Sequence, residues 1–240
     1  ISLSILLCLC SSFSTSAQTT TSLPVFIDNM VARHGFNKTE LSRLFTKTKV
    51  RNNILGLMDR PGKGRPWYQY MPRFVNERRV QGGVEFWQEN APTLSRAEAT
   101  YGVPAAIIVA IIGVETIYGT QTGNVPVIDA LTTLAFHYPR RADFFRDELE
   151  NFLLLTREEK MNPLLPKGSY AGAMGIGQFM PSSYRQYAVD FDGDRKRNIW
   201  TNVDDAIGSV ANYFKKFGWQ TGQPVMVATQ VRPDTNVGML

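Results

Sequence analysis

The sequence predicts a mainly α fold with a small β element near its C-terminus. Three observations lead there. Apolar residues recur at three- and four-residue spacing in one segment after another. Gly and Pro punctuate those segments. Only residues 225–231 (VMVATQV) read convincingly as a strand. Composition agrees: 240 residues, 43% hydrophobic, 20% charged and 11% aromatic describe a globular chain rather than a disordered or fibrous one. The length suffices for one sizeable core with a small satellite domain.

Residues 1–17 (ISLSILLCLCSSFSTSA) stand apart, with no charged residue among them. Their apolar run is too short to span a bilayer. It passes into small polar residues and closes on Thr15-Ser16-Ala17, the pattern of a secretory h-region and cleavage site. With no initiator Met and no basic n-region, the sequence is expected to begin inside that signal. A buried N-terminal helix is the alternative, and the crowding of Ser and Thr counts against it. Both cysteines, Cys8 and Cys10, lie here. The mature chain would have no disulfide, which fits export to the periplasm without oxidative folding. Acylation of Cys10 would add membrane association through a lipid anchor, at the outer membrane; Leu9 stands where a small residue usually precedes such a cysteine.

The net charge is +5, and a basic surface favours polyanions. Nucleic acid is not an expected partner, because an exported protein rarely meets it. Peptidoglycan, with its peptide carboxylates, and anionic lipid fit better. Ordinary solubility charge explains this magnitude equally well.

A Thr/Ser-rich linker, 18–22, precedes the first helical pattern, in which Val25, Phe26, Met30 and Val31 give one short amphipathic helix. Thr39-Glu40-Leu41 opens a second helix with Leu41, Leu44 and Phe45 inward. Residues 61–66 (PGKGRP) are a break. Four aromatics follow closely: Trp67, Tyr68, Tyr70 and Phe74. The spacing predicts a longer helix over 76–101, with Gly82, Gly83 and Pro92 as interruptions. The strongest helix runs over 104–118, with Pro104 in its first turn and Gly119 as its C-terminal cap. Further helices fit 127–136, 143–155, 182–189 and 204–217, with no internal repeat and no heptad seam. The domains so read are a helical region at 18–95, a core at 96–220 and the start of a β domain at 221–240.

Every residue from Val103 to Val114 is apolar or Gly, and a helix apolar all round is buried. Glu115 is the only ionisable group on it before Tyr118. Apolar surroundings and the negative end of the helix dipole both favour its protonated form. A Glu held protonated near neutral pH is what a glycosidase general acid needs. A structural Glu satisfied by an Arg or by backbone groups is the equal alternative.

Residues 168–181 (GSYAGAMGIGQFMP) carry four glycines in ten residues, which lets a ligand approach the backbone. No Gly-Lys-Ser/Thr ending makes this a phosphate loop. Ser169, Tyr170 and Gln178 offer neutral hydrogen-bonding groups and Phe179 and Met180 offer apolar faces, a mixture suited to an uncharged sugar. A tight packing turn is the plainer reading by composition. Arg140 and Arg141 stand ahead of a helix, available to peptide carboxylates, to Glu115 or simply to solvent. Asp190, Asp192 and Asp194 alternate like the start of an EF-hand loop. Arg195 replaces its sixth-position Gly and Thr201 its closing Glu, and Arg195-Lys196-Arg197 add positive charge. Asp204 or Asp205 could close a longer calcium loop. No HExxH and no GxSxG elbow is present.

Together these segments resemble the lytic murein transglycosylase B family. The matching runs are IIGVET-x-YG at 111–119, YPRR at 138–141, AGAMG-x-GQFMPSS at 171–183 and AIGSVANYF at 206–214. They stand in the family's order, and the combination is far more specific than any one run. The resemblance implies a lysozyme-like core carrying a helical domain and a small β domain. It implies a monomer acting on peptidoglycan glycan strands with no required cofactor. The reaction implied is non-hydrolytic cleavage of the β-1,4 bond between N-acetylmuramic acid and N-acetylglucosamine, leaving a 1,6-anhydromuramoyl end, with Glu115 as sole acid/base. Tyr70, Arg140, Arg141, Ser169, Gln178, Phe179 and Tyr213 match saccharide- or peptide-contacting positions. Asp190, Asp192, Asp194 and Asp204 or Asp205 match a structural calcium loop. Family members continue past the equivalent of Leu240 with an aromatic, Asn-containing segment, so the sequence is expected to be a fragment or truncated product. A hydrolytic muramidase or chitinase, and a non-catalytic peptidoglycan-binding protein, are the alternatives.

Overall fold

The computed structural model describes residues 21–59 and 66–226. The expected signal, most of the 61–66 break and residues 227–231 of the expected strand lie outside them. The chain divides into two compact units, Ile1–Thr46 and Lys47–Leu240.

In the first unit, α1 (Leu23–His34) and α2 (Lys38–Phe45) form a hairpin. Pro24 sits in the first turn of α1, and Gly35 ends it in the left-handed region at φ 65°, the usual glycine stop. Phe26, Ile27 and Met30 are buried, with the Phe26 ring edge-on to Phe45 at 6.1 Å. Of the apolar residues of this helix, Val25 is 49% exposed, while Ile27 is buried. The cap of α2 is Asn37, whose side chain accepts the Glu40 amide at 3.0 Å.

The second unit contains α3 (Asn52–Met58), α4 (Trp67–Tyr70), α5 (Glu77–Glu89), α6 (Ala91–Tyr101), α7 (Ala105–Thr116), α8 (Val127–His137), α9 (Ala142–Glu158), α10 (Pro181–Tyr187) and α11 (Val203–Lys216). Two short strands, β1 (Val125–Pro126) and β2 (Lys167–Gly168), pair antiparallel; neither has a sequence signal, because each is only two residues long. The helix expected over 76–101 is two helices. Asn90 stands between them and Pro92 occupies the first turn of α6, where its missing N–H costs nothing. Gly82 and Gly83 leave α5 unbroken. Val225 and Met226 are exposed and outside any strand.

Helix α8 is the core of this unit: every residue from Val127 to Ala135 is buried. It packs on α3 and α9, and α9 on α10. The buried Asp129 of α8 accepts the Lys49 amide at 2.9 Å and the Arg51 guanidinium at 2.7 and 3.0 Å, which clamps the start of the unit to its core. The buried Glu148 of α9 accepts both the Ser182 amide, at 2.9 Å, and its hydroxyl, at 2.6 Å. A carboxylate from another helix thus caps α10 where the helix dipole favours negative charge.

Helix α7 is not buried all round, contrary to its composition. It packs on α5, α6 and α11, and one narrow face, Ala106, Ala110 and Val114, is exposed. Those residues lie four apart, so they share one side. Among the described residues no single helix is long and apolar enough to cross a membrane.

Candidate active site

The last turn of α7 is held from within the core. Buried Thr116 donates its hydroxyl to the Ile176 carbonyl at 2.7 Å and accepts the Gly119 amide at 3.0 Å. This ties the end of α7 to the glycine-rich segment. One residue earlier, Glu115 opens onto a cleft of about 290 Å³. Ile111 and Glu115 come from α7, Gly177 to Met180 from the glycine-rich segment, Ser183 from α10, and Val210, Tyr213 and Phe214 from α11.

Glu115 is reachable from solvent, not sealed in the core as its helix suggests. Its carboxyl is still partly desolvated by the cleft walls, and that burial raises its pKa above the ordinary value. It has no hydrogen bond or ion pair with any described residue, so no partner pulls the proton off. Among the described residues lining the cleft it is the only carboxylic acid. Facing it are aromatic and neutral groups. Tyr213 stacks on Phe217 at 4.3 Å and lies 5.7 Å from Phe179.

The cleft gathers four of the sequence-predicted residues: Glu115, Gln178, Phe179 and Tyr213. Gln178 stands at φ 52° and spends its amide group on the Thr122 and Gly175 carbonyls, at 3.1 and 2.9 Å. Its oxygen is left as the acceptor. Phe179 is 7% exposed, so little of its ring meets solvent. Tyr70, Arg140, Arg141 and Ser169 are not among the lining residues. Tyr70 packs between Trp67 and Phe74, at 6.2 and 4.9 Å. Arg140 pairs with Asp59 at 3.5 Å, and Arg141 lies over the Phe144 ring at 4.2 Å; neither pairs with Glu115. The Ser169 hydroxyl accepts the Ala171 and Ala173 amides at 3.3 and 3.0 Å, so it builds the loop.

The glycines mostly serve packing. Gly172 and Gly175 stand at φ 87° and 69°, and an added methyl would lie 2.5 Å from a Leu131 side-chain carbon and from the Ile199 carbonyl, respectively. Of the four, Gly177 lines the cleft. The residues that motif reasoning missed are Ile111, Ser183, Val210 and Phe214. The signal for the last two was there: with Tyr213 they share one face of α11 by helical spacing.

Asp190, Asp192 and Asp194 each bring one carboxylate oxygen within 4.8 Å of the others. The loop holds itself: Asp190 accepts the Gly193 and Arg195 amides, and Asp192 the Asp194 amide and the Asn202 side chain. The Asn202 bond first, then the backbone bonds, lower the Asp192 pKa. Three hard carboxylate oxygens at this spacing fit calcium in donor type. Asp204 does not join them. Its carboxylate accepts the Thr93 hydroxyl at 2.6 Å, which turns it toward α6. Its neighbour Asp205 is the buried residue behind the loop, accepting the Phe191 and Asn198 amides, both at 2.7 Å.

The fold and this site define a mainly α, lysozyme-like protein whose cleft, among the described residues, is lined by a single carboxylic acid with a pKa raised by burial. The chain belongs to the Transglycosylase SLT domain family, whose profile matches residues 18–239. It is 50% identical over 212 residues to the membrane-bound lytic murein transglycosylase B of Escherichia coli K12, covering 84% of this chain and 58% of that protein. The crystal structure of soluble lytic transglycosylase SltB1 from Pseudomonas aeruginosa matches with TM-score 0.82 and 53% identity, over 84% of this chain and 68% of the other. The Escherichia coli lytic transglycosylase Slt35, solved in complex with calcium, matches with TM-score 0.79 and 52% identity, over 83% and 64%. The chain thus spans somewhat over half the length of its Escherichia coli relative.

Proposed function

We propose that this protein is a peptidoglycan lytic transglycosylase acting outside the cytoplasm. In this reading Glu115 protonates the oxygen of the β-1,4 bond between N-acetylmuramic acid and N-acetylglucosamine, and the bond from that oxygen to the muramoyl anomeric carbon breaks. The muramoyl 6-hydroxyl attacks the same carbon and returns its proton to Glu115. A 1,6-anhydro ring forms, no water is consumed, and the acid is regenerated. The observation that carries the reading is that Glu115, with its raised pKa, is the one carboxylic acid among the described residues lining the cleft. Two-carboxylate glycosidases, whether they use water or a covalent intermediate, need a second, opposed carboxylate. Intramolecular attack needs none. The similarity to lytic transglycosylases supports the same chemistry.

Tyr213, Phe179 and the Gln178 oxygen are the groups that would receive the sugar rings. Tyr70, Arg140, Arg141 and Ser169 retain a substrate role only through their match to the family's motif positions. Asp190, Asp192 and Asp194 would hold a calcium ion as a structural brace, with no part in the bond cleavage.

The test is mass spectrometry of the products formed from purified peptidoglycan, beside Glu115→Gln. Anhydromuropeptides are expected from the parent, with turnover lost and binding kept in the variant. Reducing-end muropeptides would mean hydrolysis instead. Intact binding without any product from the parent would mean a wall-binding protein.

A further inference from the structure

Ile117 and Tyr118 follow α7 directly, and both stand in the left-handed region, at φ 50° and 55°. That region is an outlier for a β-branched residue such as Ile, and such strain persists only where the surroundings impose it. Here the turn folds the Tyr118 ring back against α5, 5.5 Å from the Phe86 ring. Three glycines make room for it. A methyl on Gly113 would stand 2.5 Å from the Tyr118 hydroxyl, one on Gly83 2.7 Å from it, and one on Gly82 3.1 Å from the ring. The hydroxyl donates to the Arg79 carbonyl at 2.8 Å. The Arg79 guanidinium donates in turn to the Gly113 carbonyl and lies over Phe74 at 5.4 Å. Gly113 is in the last turn of α7, where a cation is favoured, and its carbonyl accepts the Ile117 amide at 3.2 Å as well as the guanidinium.

A closed circuit results: Tyr118 to Arg79, Arg79 to Gly113, and along the chain from Gly113 through Glu115 back to Tyr118. We propose that this clasp is a positioning device, with Arg79 and Tyr118 fixing the last turn of α7 so that Glu115 stays aimed into the cleft. The proposal rests on the reading of Glu115 as the acid. No described residue holds the Glu115 carboxyl itself, so its aim is set by its backbone. Thr116 secures that backbone toward the glycine-rich segment, and the clasp secures it toward α5. The sequence run IIGVET-x-YG thus contains the acid, the glycine that admits the ring, and the ring.

Tyr118→Phe tests this, since it keeps the packed ring and deletes the bond to Arg79. With soluble, uncrosslinked glycan strands as substrate, kcat is expected to fall about tenfold, a small misplacement of a reacting group being enough for that. The Kd for the same strands, measured by calorimetry on a Glu115→Gln background with and without Tyr118→Phe, should not change. Native-state hydrogen exchange should quicken at the amides of residues 117 and 118 and stay unchanged in α8 and α9. Arg79→Met, which removes the other arm, should reproduce all three results. Unchanged kcat, or a fall matched by weaker binding, would overturn the clasp. Should the parent form no product at all, the reading of Glu115 fails instead. The exchange data then decide the clasp alone: unchanged amides sink it.

Discussion

Glu115 was legible because it is one carboxyl on an otherwise apolar helix. What the sequence did not carry was how far it would be buried. A helix with only apolar residues reads as enclosed, yet α7 leaves the Ala106, Ala110 and Val114 side open, and the acid sits at the rim of a cleft. The partial burial has a thermodynamic consequence. The folded-state pKa of Glu115 is raised by desolvation, so the native state favours the protonated form. The associated stability is fully present below the ordinary glutamate value and is lost as pH rises through the raised folded value. Glu115→Gln removes that loss. Its Tm should match the parent's in acid, rise above it as pH passes the ordinary glutamate value, and hold a constant gap above the raised one. Thermal melts across pH check this, and a gap that closed with rising pH would mean the charged form is favoured. Ser169 and Gln178 show the opposite case. Their residue types suggested sugar contacts; Ser169 spends its hydroxyl and Gln178 its amide nitrogen on backbone groups, which leaves the Gln178 oxygen for a sugar, and a motif cannot reveal such internal use.

Element boundaries were readable only in part: of the interruptions read in 76–101, Pro92 marks the start of a second helix and the glycines mark nothing. Which of two adjacent aspartates serves the acidic loop was not readable. Successive residues on a helix point about 100° apart, so only one of Asp204 and Asp205 can face the loop. Thr93 on α6 decides which: it takes Asp204, and Asp205 turns inward to hold Phe191 and Asn198. The loop is therefore braced before any ion arrives, and calcium would add to a formed site. Calcium at about ten times its Kd should stabilise the protein by roughly 1.4 kcal/mol, because a ligand of the native state contributes by mass action. Differential scanning calorimetry with calcium and then with chelator should show Tm rise and return. Asp192→Asn should abolish the rise while leaving cleavage activity intact. A chelator-insensitive Tm at millimolar calcium would remove calcium from the loop.

At the scale of the molecule, helices were predictable and their neighbours were not. Nothing local tells α8 that it will be surrounded by α3 and α9, since Arg51 and Asp129 lie 78 residues apart. Yet their bond shows what joins the early and central parts of this unit. Asp129 is 4% exposed and receives three donors: the Lys49 amide and two nitrogens of Arg51. The Arg51 amide adds a fourth tie, to Thr133 at 3.0 Å. Removing the carboxylate strands the amide and leaves a guanidinium with a desolvated face. A fully buried charge left this way costs 3–5 kcal/mol, but the Arg51 side chain is 37% exposed and water recovers part of that. Asp129→Ala should therefore destabilise by about 2–3 kcal/mol. For a chain of this size that is a Tm lowered by roughly 5–10 °C. Asp129 does not line the cleft, so kcat measured well below the new Tm should stay at the parent value. Denaturant titration and steady-state assays on the same preparation separate the two effects. A lost kcat with unchanged stability would show that the clamp acts on the cleft rather than on the fold.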